Sequence, residues 1–331
     1  MAGSSASVNY NIRPCKSIER KMMCDMISRL TVFDYIKNYR YIGMGAKYFV
    51  DFSLLHKEFG IDNMYSMEIN SAEKNRKRFE FNKPFNCIKM LFGNASDILN
   101  SSNIPWKQEK NIIWLDYDGG INSNQIQDVE SCISKVESGS VIFVSFNSDL
   151  GDKFKKALPK EKLDMYCSRI DNEILVKLLS PKDMAKEKIY QTTNKMFDMI
   201  VKNKILERNS TIRSDDEKLI SQQLVYFKYN DSKATMLTLG WIVYKKGDID
   251  KFTKCGFEDF EFYNSSNIPY DISVPNFTYK ELAILNQNMP NAVYPIEGAD
   301  FLRKKKLMHI EKFISIIRLH LKHRLLCKDT Q

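Results

Sequence analysis

Short apolar runs alternate with polar or helical stretches along the first half of the chain. Five such runs end in turn residues, at positions 39–42, 64–69, 87–92, 111–115 and 141–146. Runs such as IIWL and VIFVSF are apolar at successive positions, which is typical of strands that are buried on both faces. The alternation of strands and helices therefore predicts βα units and a parallel sheet.

Helical and hairpin patterns flank these runs. Before the first run, apolar residues recur every three or four positions between residues 17 and 38, which predicts a helix that covers the sheet. Two β-rich segments between residues 222 and 245 are separated by Asn230, Asp231 and Ser232, which predicts an antiparallel hairpin. Residues 150–220 form a predicted helical insertion, in which the segment 173–179 (EILVKLL) is also compatible with a further strand.

The two ends of the chain depart from this pattern. Residues 1–16 are predicted to be disordered, so the predicted sheet domain spans residues 17–250. Residues 251–331 are predicted to form a helical and basic C-terminal region, with helices at 278–287 and 300–327. On the second of these helices His320, His323 and Cys327 are three and four positions apart, but no fourth ligand is at hand. A solvated basic face is therefore favoured over a zinc site.

Charge and cysteine content bear on which partners the protein binds and on the compartment in which it is found. The 50 Lys and Arg residues exceed the 41 Asp and Glu residues and give a formal charge of +9. Nucleic acid bound through the basic C-terminal helices, and a basic composition without such a role, both remain open. Seven cysteines without a CxxC pair predict reduced thiols in the cytoplasm. No apolar stretch approaches the roughly 20 residues that span a bilayer, so no membrane association is expected.

A glycine turn and a carboxylate stand at the ends of the first two predicted strands. Gly43 and Gly45 follow the first strand in RYIGMGAKYF, where glycine permits a positive φ and a close approach of a ligand to the backbone. Glu68 ends the second strand, and a carboxylate there suits the two adjacent hydroxyls of a ribose. The pair predicts a nucleoside-containing cofactor, although a plain turn would also explain the glycines.

Tyr48 separates two classes of such cofactors. A dinucleotide fingerprint needs a third small residue at this position, so that a helix packs tightly on a strand beside a pyrophosphate. S-adenosylmethionine (SAM) has no pyrophosphate and makes no such demand. The sequence therefore favours SAM over a dinucleotide.

Acidic residues follow the fourth strand, in IIWLDYDGG. Asp116, Tyr117 and Asp118 stand at the carboxyl edge of a central strand, where α/β sheets bind ligands, and are the predicted catalytic residues. Asp116 is suited to hold the ammonium group of a cofactor, to act as a base or to bind a metal, and Tyr117 is suited to shape the reaction pocket. The alternative interpretation is a turn rich in Asp and Gly.

Other candidates for chemistry are weaker. Asn147 and Asp149 are the only further metal ligands on offer after the fifth strand, so no metal is predicted. His56 lies on the helix after the glycine turn and is interpreted as a structural histidine. No D/N-P-P-Y motif is present and no Pro-Cys follows the fourth strand, so neither amine methylation of that type nor a cysteine nucleophile is indicated.

The order of these motifs over residues 17–245 resembles class I SAM-dependent methyltransferases, particularly the O-methyltransferase-like proteins of microbes. The resemblance implies an α/β fold with a Rossmann-like parallel sheet, an antiparallel terminal hairpin, flanking helices and a small helical C-terminal region. It also implies SAM as the cofactor. The cofactor-binding residues implied in this way are Tyr41, Gly43, Gly45, Glu68, Ile69, Asn94, Ala95, Asp97 and Asp116.

The resemblance assigns parts of the cofactor to parts of this set. Gly43 and Gly45 would flank the methionine part and Glu68 would take the ribose. The loop FGNASDIL would border the adenine through Asn94, Ala95 or Asp97, although Asp97 equally suits a helix N-cap. Members of the family often carry an acidic residue just before the first glycine. Residues 40–42 (RYI) stand there instead, so the contact to the amino group of SAM lacks its usual residue.

Three functional hypotheses follow. The first is a SAM-dependent methyltransferase that aligns a nucleophile with the sulfonium methyl group and excludes water. The second is a SAM- or nucleotide-binding module without transferase activity, within a multi-protein system such as one for microbial defence. The third is a nucleic-acid-binding protein that uses the basic C-terminal helices. The substrate and the oligomeric state are left open by the sequence.

Overall fold

The structure is a computed structural model that describes residues 13–274, apart from 108, 186–187, 232–233 and 265–266, and the single positions 278, 280, 284 and 287. Most of the predicted N-terminal segment lies outside the described residues. The same holds for the helix predicted at 300–327, with its candidate ligands His320, His323 and Cys327, and for most of the helix predicted at 278–287. The nucleic-acid hypothesis therefore stays a prediction.

The described residues form one mixed sheet of eight strands, which confirms the predicted parallel sheet with an antiparallel hairpin. The strands are β1 (Arg40–Gly43), β2 (Asn63–Glu68), β3 (Ile88–Phe92), β4 (Asn111–Gly120), β5 (Ser140–Asn147), β6 (Leu219–Asp231), β7 (Ala234–Lys245) and β8 (Tyr270–Ile272). Their order across the sheet is β3-β2-β1-β4-β5-β7-β6-β8. Strands β1 to β5 are parallel, and β7 runs antiparallel to both β5 and β6.

Helices cover both faces of this sheet. They are α1 (Pro14–Ser28), α2 (Val50–Phe59), α3 (Glu73–Asn82), α4 (Ala95–Asn100), α5 (Ser123–Lys135), α6 (Asp152–Lys156), α7 (Pro159–Ile170), α8 (Glu173–Val176), α9 (Lys188–Asn209) and α10 (Ile249–Lys254). Helices α1 and α2 bury side chains such as Met22 and Phe52 on one face. Helices α4, α5, α7 and α9 bury side chains such as Val129 and Phe197 on the other. The result is a three-layer α/β architecture.

The strand order places a ligand-binding edge at β1 and β4. From β1 the chain builds outward to β2 and β3 on one side, and then returns to build β4 and β5 on the other. Open α/β sheets bind ligands at such a switch point, beyond the carboxyl ends of the strands. Gly43 at the end of β1 is in register with Ser66 on β2 and with Trp114 on β4. The ends of all three strands therefore lie along one edge.

Two predicted elements differ from the observed ones. Helix α1 begins at Pro14 and ends at Ser28, and two 3-10 turns follow it, so the helix is shorter than predicted and begins within the segment predicted to be disordered. The alternative of a further strand at residues 173–179 was wrong, because that segment begins with helix α8. Asn172 Oδ1 accepts the backbone N–H of Leu175 at 3.1 Å, which caps the helix. The sheet edge that a further strand would need, beside β5, is taken by β7.

The sheet also continues beyond the predicted domain boundary at residue 250. Strand β8 pairs in parallel with β6, with Tyr270 opposite Phe227, although the region from residue 251 was predicted to be helical. A run of three residues is too short to show a period of two, so no strand signal was available. No helix in the described part of the chain is long and apolar enough to cross a bilayer.

Candidate functional site

A cavity of about 380 Å³ opens at the edge where β1, β2 and β4 end. This volume lies in the range of small-molecule and cofactor sites. The wall is formed by Arg20, Met44, Gly45, Ala46, Tyr48, Val50, Asp51, Met67, Glu68, Ile69, Gly93, Asn94, Ala95, Ser96, Asp116, Tyr117, Asp118, Asn122, Asn124, Gln125 and Asp128.

Most of the residues predicted from the sequence meet on this wall. They are Gly45, Glu68, Ile69, Asn94, Ala95, Asp116, Tyr117 and Asp118. The glycine turn after β1 and the carboxylate at the end of β2 therefore face one cavity. Ile69, the loop with Asn94 and Ala95, and the segment 116–118 face the same cavity. One ligand could therefore reach predicted binding residues and predicted catalytic residues together.

Three predicted cofactor-binding residues are not on the wall. Tyr41 is 1% exposed and packs edge-on against Phe52, with the ring centroids 4.7 Å apart. Gly43 lies against the ring of Tyr41, since a Cβ at this position would stand 2.6 Å from Tyr41 Oη. Asp97 is exposed in the first turn of α4 and is not the N-cap, which is Asn94. Direct contact with a ligand in the cavity is thus not indicated for these three.

The glycines serve a different purpose from the one predicted. Neither Gly43 nor Gly45 has a positive φ; the left-handed residues of this loop are Ala46 (φ 45°) and Phe49 (φ 49°). A Cβ on Gly45 would lie 2.5 Å from Phe49 Cδ1 and 2.9 Å from Ser66 Oγ. The Gly45 N–H donates to Ser66 Oγ at 3.1 Å. Glycine is required at position 45 because the backbone lies too close to the side chains of Phe49 and Ser66 for a Cβ to fit.

Glu68 is a partly buried carboxylate at the end of β2. Its Oε1 accepts the backbone N–H of Asn70 at 3.0 Å, which fixes the side chain at the cavity. Burial raises the pKa of Glu68 above its usual value, and the charge of Asp118 raises it further, against the effect of the backbone donors. Hydrogen-bond donors from a ligand would therefore favour the ionised form of Glu68, which burial deprives of water.

Asp116 is held by a buried lysine. Lys16 Nζ lies 2.9 Å from Asp116 Oδ1 and 2.8 Å from Glu19 Oε2, and 4.6 Å above the ring of Trp114. Burial lowers the pKa of Lys16, but Asp116 and Glu19 outweigh that effect and leave the pKa raised. Lys16 is therefore charged and occupies one oxygen of Asp116. This favours Asp116 as a fixed anionic acceptor over Asp116 as a free base.

Glu19 anchors this pair in the protein interior. It is fully buried, and its carboxylate accepts hydrogen bonds from Tyr229 Oη at 3.0 Å and from Thr238 Oγ1. Thr238 Oγ1 in turn lies 2.7 Å from Ser145 Oγ, on the neighbouring strand β5. A continuous polar network thus joins the cavity wall to the antiparallel hairpin.

Tyr117 is fixed as a neutral hydrogen-bond donor. Its hydroxyl donates to Asp128 Oδ2, and Ser96 Oγ donates to Asp128 Oδ1 at 2.6 Å. Burial and the charge of Asp128 hold the pKa of Tyr117 well above its usual value. Burial also raises the pKa of Asp128, although its two donors oppose this effect. Tyr117 can therefore shape the pocket but is not poised to accept a proton.

Sequence reasoning missed Arg20 and Asp51, which lie on the wall as an ion pair. Arg20 Nε on α1 donates to Asp51 Oδ1 on α2, and both side chains are less than 10% exposed. A signal was present, because Lys16 and Arg20 are charges spaced by one turn within the apolar pattern of α1. Charges at buried helix positions need partners, and these positions indicate a functional surface.

The weaker candidates lie elsewhere. His56 Nδ1 is 2.8 Å from the carbonyl oxygen of Ile61, and its ring packs on Phe85, away from the cavity wall. Asn147 Oδ1 accepts the N–H of Asp149, whose carboxylate pairs with Lys155 at 2.7 Å. Among the residues that the structure describes, no group of three His, Cys, Asp or Glu side chains is arranged to hold a metal ion.

Three solved structures illustrate what this chain is similar to. LepI in complex with SAM is 8% identical, with a TM-score of 0.37, and the match covers 71% of this chain and 48% of that one. An O-methyltransferase family protein from Burkholderia thailandensis is 9% identical, with a TM-score of 0.32 and coverages of 66% and 54%. Human N-acetylserotonin methyltransferase in complex with SAM is 9% identical, with a TM-score of 0.32 and coverages of 66% and 51%.

The match to this chain thus spans about half the length of each of these three structures. No curated protein matches the sequence. The family profile, by contrast, extends from residue 8 to residue 320 and so covers the sheet, the cavity and the helical insertion. With nearly all of its 331 residues matched, the chain belongs to the family described as "Putative O-methyltransferase".

Proposed function

We propose that the protein is a SAM-dependent methyltransferase that acts on an oxygen nucleophile, with a substrate that is still to be identified. The observation that carries this proposal is the shared cavity. The glycine turn after β1, the carboxylate at the end of β2 and the acidic end of β4 line one wall, in a chain of this family.

The residues of the cavity fit SAM. Glu68 offers a carboxylate to the two ribose hydroxyls. Ile69, with 70% of its surface exposed beside Glu68, and the backbone at Asn94 and Ala95 offer an apolar and polar border for an adenine. Asp116 offers an acceptor to a positively charged group. Tyr48 stands on the wall where a dinucleotide site would need a small residue, which supports SAM over NAD.

Bound SAM would supply a methyl group to the substrate oxygen: the new O–C bond replaces the C–S bond, and S-adenosylhomocysteine leaves as a neutral thioether. The protein's part is to align that nucleophile and to exclude water. Tyr117, locked onto Asp128, provides a rigid wall for this purpose. We assign to Asp118 the role of accepting the proton of the substrate hydroxyl, because Asp118 is exposed at the rim of the cavity where a substrate would enter.

Ligand-dependent melting tests the cofactor assignment. SAM and S-adenosylhomocysteine should raise the melting temperature, and NAD at the same concentration should not. A ligand present at one hundred times its Kd stabilises the folded state by about 2.7 kcal/mol, which is a readily measured shift. If neither SAM nor S-adenosylhomocysteine shifts the transition, the proposal fails.

Methyl transfer itself requires a second experiment. Protein incubated with radiolabelled SAM and fractions of RNA, DNA, protein and small molecules should label one fraction. Asp118→Asn should bind S-adenosylhomocysteine normally and lose the transfer. Asp97→Asn is the matched control, since Asp97 is an exposed aspartate within the segment FGNASDIL but is absent from the cavity wall. Binding without transfer to any fraction would favour the non-catalytic SAM-binding module instead.

A further inference from the structure

We propose that Arg20 and Asp51 form the binding site for the amino acid end of SAM, a role that rests on the proposed function. Arg20 would hold the α-carboxylate, and Asp51 together with Asp116 would hold the α-ammonium group. The site would be built by the N-terminal helix α1 and by α2, rather than by the end of β1.

The guanidinium of Arg20 is oriented by one hydrogen bond, and its two terminal nitrogens are available to a ligand. Its Nε donates to Asp51 Oδ1, which fixes the plane of the group at the cavity wall. Its two terminal nitrogens donate to no atom of the described residues, and neither is a fully buried atom without a hydrogen-bond partner. Two parallel N–H donors in a fixed plane match a carboxylate, which accepts them as a bidentate pair.

The charges on this part of the wall match those of a zwitterion. Arg20 is flanked by two carboxylates on the same wall, Asp51 and Asp116, and both raise the pKa of the guanidinium against the effect of burial. The second oxygen of Asp116 is not held by Lys16, whose contact is to Oδ1. The cation can pair with the carboxylate of an amino acid and the two anions with its ammonium group, which are attached to the same carbon atom. A ligand with a negative charge alone would be repelled by the two carboxylates.

This arrangement also accounts for the acidic residue that is missing before the first glycine. The three residues in that stretch are directed elsewhere. Tyr41 and Ile42 are in the core, and Arg40 is bound to Glu109 and to the carbonyl oxygen of Pro105. Asp51, in the first turn of α2, brings a carboxylate to the cavity from the other side of the glycine turn.

The test compares two pairs of ligands, and within each pair the sulfur carries the same charge while the amino acid end differs. S-adenosylhomocysteine and 5′-methylthioadenosine are neutral thioethers, and the second lacks the ammonium and the carboxylate. SAM and decarboxylated SAM are sulfonium ions, and the second lacks only the carboxylate. Their Kd values would be measured by titration calorimetry with the wild type, with Arg20→Lys and with the double variant Arg20→Gln/Asp51→Asn. The double variant removes both charges, so it avoids leaving one of them buried without a partner.

The expected result is a loss that depends on the ligand. The double variant should bind S-adenosylhomocysteine about ten- to a hundredfold more weakly than the wild type and 5′-methylthioadenosine equally well. Arg20→Lys keeps the charge but not the planar pair of donors, so it should lose affinity for SAM and keep that for decarboxylated SAM. Arg76→Gln, at an exposed arginine of α3 outside the cavity, should change none of the affinities.

Failure of this inference differs from failure of the proposed function. If the wild type binds neither S-adenosylhomocysteine nor 5′-methylthioadenosine, the proposed function is overturned and this site with it. If the wild type binds both and the double variant weakens both to the same extent, the cavity holds the adenosyl group but Arg20 and Asp51 do not recognise the amino acid end. Unchanged binding of both ligands by the double variant also overturns the inference.

Discussion

Replacement of Glu68 by Gln should weaken the binding of S-adenosylhomocysteine, and the effect should depend on pH. The substitution keeps the shape of the side chain but removes the charge that would accept the ribose hydroxyls. A hydrogen bond to a charged group contributes about 1.5–3 kcal/mol, which corresponds to a roughly 10- to 150-fold increase in Kd if one such bond is lost.

The pH dependence follows from the raised pKa of Glu68. In the free protein burial holds this pKa above its usual value. Ligand hydroxyls donate to the ionised form, so binding lowers the pKa of Glu68 from that raised value. Affinity should therefore be complete above the pKa of the free protein. It should fall as the pH drops through that pKa and level off below the pKa of the complex.

The assay is titration calorimetry between pH 4.5 and 8 in buffers of equal ionic strength. The wild type should lose affinity at the acidic end, and Glu68→Gln should show a flat profile. Glu73→Gln provides the control, because Glu73 is an exposed carboxylate at the start of α3 that pairs with Lys77. Wild-type affinity of Glu68→Gln across this range would refute the assignment of Glu68 to the ribose.

Three further predictions concern stability and the reaction. Asp25→Asn should stabilise the protein by up to about 4 kcal/mol at pH 8 and not at pH 4 in urea unfolding, since burial raises the pKa of Asp25 to about 7 and ionisation then penalises only the folded state. Gly45→Ala should cost about 1–3 kcal/mol in the same assay and weaken S-adenosylhomocysteine binding, because its Cβ would overlap Phe49. Tyr117→Phe should lower stability by about 1–2 kcal/mol through Asp128, yet retain methyl transfer within about tenfold; loss of transfer beyond that would give Tyr117 a catalytic role.

The sheet could be predicted from the sequence because its strands carry a local signal. Central strands such as β5 are apolar at successive residues since both faces are covered, and the hairpin is marked by polar turn residues between two β-rich runs. The segment 173–179 is also rich in apolar residues but is helical at its start, and the place beside β5 that a further strand would need is occupied by β7. Such competition between segments is not visible in a short window.

The candidate site could be predicted only where it depends on strand ends. Glu68 and Asp116 follow apolar runs, and the carboxyl ends of parallel strands meet at one edge, so their approach was foreseeable. Arg20 reaches the cavity because α1 packs across the sheet, which depends on tertiary structure. The need for glycine at position 45 likewise depends on how closely the loop approaches Ser66 and Phe49, which no sequence pattern reveals.

The buried carboxylate of Glu19 has a consequence for how the protein is made. Its partners Tyr229 and Thr238 are 210 and 219 residues further along the chain. On the ribosome, Lys16 of the same helix can offset the charge of Glu19 from the start. The hydroxyl donors that complete the hydrogen bonding of the buried carboxylate come from the hairpin, which emerges much later. Stable docking of that helix therefore depends on the hairpin, so the pocket is completed only after translation has passed Lys245. A nascent chain that stalls earlier would present the helix to chaperones with one face unburied.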